Sequence, residues 1–294
     1  MQRVYSKPLR FLEGEGYLHG FSTGTVRVKT TFKTAKGSEP FAMLNLLLDT
    51  HWTMPLPILV WVIDHPEGVF VVDTGENIKV LEEDYFKEEG FFKFEGFLLH
   101  YLKMKPFQFQ IKSEEEVGPQ LTALGYTLSD IKQVILTHLH LDHFDGLHYF
   151  EHNDILINRL EWEKPSFTLP SLYPDWFTPK LATLSSEYSH FSLSKALTQS
   201  GEIQLVHTPG HTMGHCSVLV QSASLHYLLA GDATYDQNQL VNNVLAGAHQ
   251  SFKQAKKAYQ AIKKYAHQHP MVYLPSHDPQ SLERLEKDLV LVIP

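Results

Sequence analysis

Residues 137–143 read THLHLDH and follow directly on the apolar run QVIL. Three histidines and a carboxylate within six positions add nothing to core packing, yet they stand where a strand-like segment runs out. The same arrangement recurs. VFVVDTG ends in Asp73, GEIQLVHTPGH in His211, YLLAGD in Asp232 and MVYLPSH in His277. Strands buried on both sides read as continuous apolar runs. A chain with several such runs, each tipped by a ligand-type side chain, folds sensibly only if the tips gather on one edge of its sheets. Loops at such an edge are where chemistry is usually carried.

The rest of the pattern fits that frame. TVRVKTTF (25–32) alternates like a strand, and ILVWVIDHPEGVFVVDTG (58–75) is two strands joined by a Pro-Glu-Gly turn. Ser113 to Glu116 matches a capping box ahead of VGPQLTALG (117–125), with Gly125 as its stop. DILINRLEW (154–162) starts as a strand, and SVLVQSASLHYLLAGDATY is a second hairpin. SFKQAKKAYQAIKKYAHQHP is an amphipathic helix with Phe252, Ala255, Tyr259, Ile262 and Tyr265 or Ala266 on one face, stopped by Pro270. The two Asp-tipped strands look equivalent. The expectation is one domain over residues 1–294, made of two related β-rich halves with outer helices. An aromatic-rich insert lies near 79–110 and a loop segment near 164–200.

Composition narrows the function. Hydrophobic residues make up 43% of 294, so a large core is available. Net charge is -8, with no basic surplus for a phosphate backbone, and no nucleic-acid partner is expected. The longest apolar runs, such as PLPILVWVI, reach roughly half the ~20 residues of a membrane span. No membrane association is expected. The N-terminus, MQRVYSKPLRFLEGEGYLHG, lacks the apolar core of a signal peptide, and a cytoplasmic location is expected. A single cysteine, Cys216, stands against 18 histidines, so a metal site here is built from nitrogen and oxygen donors.

His138 and His140 are two apart on an extended segment, so both rings point to one side and reach one ion. Asp142 and His143 follow as the chain turns, face another way and suit a second ion. With His211, Asp232 and His277 the total is five histidines and two carboxylates. That number suits two metals when one carboxylate bridges them. A single histidine after a strand is ordinarily just hydrogen-bonded, and Asp232 after Gly231 is a common turn signal; the joint pattern is what points to metal.

HLHLDH, a later GHTMGH, a GD and a final His resemble the metallo-β-lactamase superfamily, from about Pro57 to Asp278. The resemblance implies a four-layer αββα sandwich with two mixed sheets. It implies that His138, His140 and His211 hold one metal, that Asp142, His143 and His277 hold the other, and that Asp232 bridges. Asp73 becomes an outer support, and His215 is given a structural role rather than a ligand's. The stretches LGYTLSDIKQVILTHLHLDHFDGL, HTPGHTMGHCSVLV and GDATYDQ are most similar to the N-acyl homoserine lactonases. In that family a tyrosine three residues after the bridging aspartate faces the substrate, and Tyr235 stands there. The remaining histidines, His249 among them, are read as ordinary.

The resemblance implies a hydrolase that opens acyl lactones by a metal-bridged hydroxide, with Asp142 and Tyr235 as catalytic groups and a role in quenching a lactone signal. Two divalent ions per chain are expected, zinc first, with manganese, iron or cobalt equally compatible with these donors. A glyoxalase-II-like thioester hydrolase, or another ester or phosphoester hydrolase of this fold, shares all seven ligands. A non-catalytic metal-binding protein is the alternative of a different class. The partner is a small ester or lactone. The apolar stretch 91–109 can bury against a second copy, which leaves a homodimer open.

Overall fold

The structure is a computed structural model and describes residues 4–83, 85, 86 and 107–294. Most of the insert expected near 79–110 lies outside the described residues.

Fourteen strands form two sheets among the described residues. The first sheet takes β1 (Tyr5–Phe11), β2 (Gly14–Val28), β3 (Leu56–His65), β4 (Gly68–Val72), β5 (Phe107–Gln110), β6 (Ile131–Leu136), β7 (Ile155–Asn158) and β8 (Lys180–Ala182). Their order is β1-β2-β3-β4-β6-β7-β8, with β5 also pairing β2. The second takes β9 (Ser186–Tyr188), β10 (Phe191–Ala196), β11 (Ile203–His207), β12 (Cys216–Gln221), β13 (His226–Gly231) and β14 (Met271–Pro275). Its order is β14-β13-β12-β11-β10-β9. Both sheets are mixed. β1 to β4 run antiparallel, then β4, β6, β7 and β8 run parallel. In the second sheet only β13 and β14 are parallel.

Side-chain alternation builds the layers. On β3, Leu59, Trp61 and Ile63 face the second sheet, where Val218, Leu229 and Leu274 meet them in one cluster. The intervening Val60 and Val62 face outward and pack with Val117, Leu121, Phe144 and Leu147 from the helical segments outside the first sheet. On β13, Leu228 and Ala230 face the other way and are covered by Ala255, Tyr259, Ile262 and Tyr265 of the helix Phe252–Gln268. Helix, sheet, sheet and helix are thus stacked as expected. Because β3, β4, β6 and β13 bury both faces, they read as continuous apolar runs. Among the described residues no helix is long and apolar enough to cross a membrane.

Two local expectations are corrected. The 164–200 segment is not a plain loop: it carries β8, β9 and β10. Three-residue strands such as KLA and SEY are too short to show alternation. Ser113 does not cap the following helix: residues Ser113–Glu115 form a separate 3-10 turn, and the helix is Val117–Ala123 after Glu116. A capping box is instead formed by Thr127 and Asp130.

Parallel register sets the site. Val72 pairs Ile135, Leu136 pairs Ile157, and Gly231 pairs Pro275. The loops that follow β4, β6, β7, β13 and β14 therefore leave from the same edge of the two sheets.

A candidate metal centre at the sheet edge

The loop after β6 is held from below by Asp73, the residue that follows β4. Asp73 adopts a left-handed backbone (φ 60°), a conformation aspartate tolerates better than most residues. One of its oxygens accepts from the Thr137 backbone N–H at 2.8 Å. The other accepts from the Thr137 hydroxyl at 3.0 Å and from His143 Nδ1 at 2.7 Å. Thr74 completes the clamp by donating its N–H to the His143 carbonyl at 2.8 Å. With Nδ1 committed to Asp73, His143 presents Nε2 to the site.

Every other histidine of the predicted set except His211 has its outer nitrogen occupied in the same way. His138 Nδ1 meets the Thr137 hydroxyl at 3.0 Å, His140 Nε2 the Ser166 carbonyl at 3.1 Å, and His277 Nδ1 the Pro57 carbonyl at 2.8 Å. Outer partners of this kind fix the tautomer and aim of a ligand histidine. The structure brings all seven predicted residues together. Ligand atoms of His138, His140 and His211 lie within 4.8 Å of one another, as do those of Asp142, His143 and His277, and of His138, His143 and Asp232.

Asp232 joins the groups. Its Oδ2 lies 3.2 Å from His211 Nε2, and its Oδ1 lies 3.4 Å from both His143 Nε2 and His277 Nε2. His138 Nε2, His143 Nε2 and Asp232 Oδ1 are buried with no hydrogen-bond partner. Buried polar atoms are otherwise nearly always paired. Unpaired nitrogens and a carboxylate oxygen that converge on one spot fit divalent cations.

The electrostatics agree. Burial, then neighbouring histidines, hold His138 well below the ordinary imidazole range. Burial also lowers His140, to about 4. For His277 burial opposes charge, but Asp232 and Asp142 outweigh it and raise the ring to about 10. Asp232 is kept well below the usual carboxylate range: burial works against this, and His277, His143 and His211 overcome it.

His215 lies outside the cluster and contacts it through the backbone of Asp232. Its Nδ1 meets the Thr208 carbonyl at 3.0 Å, so its Nε2 is free to accept the Asp232 N–H at 3.0 Å. A side chain at Gly231 would bring a Cβ within 2.8 Å of that Nε2, in a backbone of φ +55°. Tyr235 is buried, stacks on His277 at 5.3 Å between centroids, and is held as a phenol by burial and by Asp232. Two further residues escape sequence reasoning. Glu161, fully buried, accepts from Leu139 N–H at 3.1 Å and Thr212 Oγ1 at 2.6 Å, tying the two histidine loops together. His249 sits with its ring edge-on to His211, centroids 5.9 Å apart.

Over this cluster opens a cavity of about 780 Å³. Asp142, Asp232, Tyr235 and His277 form part of its lining. Its walls are apolar, among them Val26, Val28, Phe32, Phe107, Phe109 and Leu169. None of the described residues lining it is lysine or arginine.

A sequence-family model described as the metallo-beta-lactamase superfamily matches residues 53–277. The chain belongs to the metallo-beta-lactamase superfamily. Within it, the chain is 27% identical to an N-acyl homoserine lactonase of Rhizobium radiobacter, covering 79% of this chain and 86% of that one. It is 27% identical to an N-acyl homoserine lactonase of a Bacillus species, over 68% and 73% of the two chains. A solved N-acyl homoserine lactone hydrolase, with N-hexanoyl-L-homoserine bound at its catalytic metal centre, superposes with a TM-score of 0.69 at 18% identity, covering 95% and 94%. A dizinc quorum-quenching lactonase superposes at 0.60 and 17% identity, covering 94% and 92%. These two share the fold. For this superfamily chain, divalent metal ions are the fitting cofactor of the cluster.

Two outcomes follow. Asp73→Asn puts an N–H₂ or a lone oxygen where two donors now point. It should weaken metal affinity roughly 10- to 100-fold in chelator competition; unchanged affinity would show the clamp to be irrelevant to the ligands. The second concerns pH. A histidine raised to about 10 is protonated at pH 7, and it must shed that proton to bind metal. Metal uptake should release at least one proton per chain, and affinity should climb as pH rises toward that value. Titration calorimetry in two buffers of different ionisation enthalpy reads this directly, and identical heats would contradict it.

Proposed function

We propose that the protein is a dinuclear metal hydrolase that opens the ester ring of N-acyl homoserine lactones. The single observation behind this is the division of Asp232. One oxygen faces His211, and the other faces His143 and His277, at the floor of an apolar cavity. In this reading His138, His140 and His211 hold one ion, Asp142, His143 and His277 the other, and Asp232 spans both. Two divalent ions held there supply a Lewis acid and a water acidic enough to yield hydroxide near neutral pH.

The chain's own groups do the rest. Tyr235, kept protonated by burial, donates its O–H to the carbonyl oxygen as that oxygen gains charge. Asp142 lines the cavity and rests as a carboxylate; burial opposes this, but His143 and His277 prevail. It takes up a proton from the attacking water and returns it to the leaving alkoxide. The apolar walls accept an acyl chain, and the lactonase names of the two relatives supply the substrate class.

The thioester and phosphoester alternatives fit the cavity less well. A glutathione thioester carries carboxylates and a phosphodiester carries a charged phosphate, whereas the described lining holds no lysine or arginine to pair with either. Signal quenching and a cytoplasmic setting belong to this reading as its biological context.

Metal-loaded protein should acidify a weakly buffered solution of N-acyl homoserine lactone and leave a glutathione thioester and a phosphodiester intact; the reverse preference would overturn the assignment. Tyr235→Phe should lower kcat about 10- to 1000-fold. A full rate in that variant would reduce Tyr235 to a packing residue.

A further inference from the structure

Of the predicted ligand histidines, His211 alone has an outer nitrogen without a partner: its Nδ1 is buried and unpaired. Its Nε2 faces the site, 3.2 Å from Asp232. A histidine that ligates through Nε2 carries its proton on Nδ1, and such a buried N–H needs an acceptor.

The neighbouring ring offers one. Tyr259 has one hydroxyl proton, which it donates to the Val244 carbonyl at 3.3 Å. Its oxygen therefore accepts from His249 Nε2, 3.1 Å away. With the Tyr259 proton on the Val244 carbonyl, His249 carries its own proton on Nε2 and a bare lone pair on Nδ1. This Nδ1 is also buried and unpaired. Two adjacent rings thus each carry one orphaned Nδ1: an acceptor on His249, and on His211 an atom that becomes a donor once Nε2 ligates an ion.

We propose that His249 is a positioning residue: its Nδ1 accepts the Nδ1–H of His211 when an ion is seated, completing a Tyr259–His249–His211 chain. The inference rests on the reading of His211 as a metal ligand.

The local structure prepares this contact. Gln250 donates its N–H to the His211 carbonyl at 3.1 Å, and Ser251 donates to Gly210 at 3.0 Å, so the two segments travel together. Tyr259 is fully buried on the helix Phe252–Gln268 and cannot swing away. The two rings lie edge to face with centroids 5.9 Å apart, and each Nδ1 is buried without a partner. His211 Nε2 is meanwhile only 2.8 Å from His140 Nδ1. Two imidazole nitrogens sharing a tetrahedral ion at 2.0–2.1 Å sit about 3.3 Å apart. Seating an ion therefore parts His211 from His140. His211 touches both His140 and His249, which have no ring contact with each other among the described residues.

The test uses zinc and three variants. Nuclear magnetic resonance of the zinc-loaded wild type should show a slowly exchanging His211 Nδ1–H. His249→Phe should remove that signal and weaken zinc binding at one of two sites roughly 10- to 100-fold in chelator competition. His249→Asn, whose amide oxygen lies near the place of Nδ1, should recover most of the affinity. Absence of the protected N–H in the wild type overturns the proposal, even if a variant fails to fold. So does unchanged zinc affinity in His249→Phe, or an Asn variant no better than Phe. If His211→Ala binds zinc as tightly as the wild type, the ligand assignment itself fails, and the proposal with it.

Discussion

A carboxylate and five imidazoles buried at one sheet edge are stable only if something answers their unspent hydrogen-bonding and charge. Asp232 sits at the centre of that problem. It is buried to 2% exposure, its Oδ1 has no hydrogen-bond partner, and three histidine nitrogens surround it at 3.2–3.4 Å. Burial disfavours its charge, and His277, His143 and His211 favour it strongly enough to hold the carboxyl well below the usual range. Divalent cations offset that charge more fully, because each replaces a proton with a multiply charged centre held by several donors at once. The fold is arranged around this need. Parallel register levels the strand ends; the loop after β6 delivers four of the groups, and the loops after β11, β13 and β14 deliver His211, Asp232 and His277.

What aims the donors at the site is the layer behind them. Asp73 spends both oxygens on Thr137 and His143. Glu161 spends both of its own on Leu139 and Thr212, and so locks the first histidine loop to the second. Gly214 is required next to it, since a Cβ there would lie 2.2 Å from the Glu161 backbone nitrogen. His215, four residues past His211, would be mistaken for a ligand by spacing alone, yet its Nε2 is consumed by the Asp232 backbone. Aim, rather than residue type, separates the histidines that face the site from those that support it.

The buried strands and the cluster of ligand-type tips were legible in the amino-acid sequence because both leave local marks, whereas the four-layer arrangement was implied by the family resemblance. Continuous apolar runs signal strands buried on two faces, and a charged or ligand-type tip on each run has no packing explanation. Other features leave no such mark. Glu161 lies in NRLEWE, where a glutamate looks like any helix-surface residue. His249 lies in AGAHQ, and only the fold brings it to His211. The strands β8 and β9 escaped because three-residue ladders draw their order from the neighbouring strand rather than from their own pattern. Contacts between residues distant in the chain, not local propensity, decide each of these.

The cavity turns the metal edge into a selective site. In the proposed reading, ions held at its floor would polarise a carbonyl, and its apolar walls would favour a chain that water rejects. The central claim remains the bridging of two ions by Asp232. Anomalous diffraction from zinc-loaded crystals tests it most directly. The account predicts two peaks per chain, one beside His138, His140 and His211 and one beside Asp142, His143 and His277, with Asp232 between them. A single peak, or two peaks that do not flank Asp232, would contradict it.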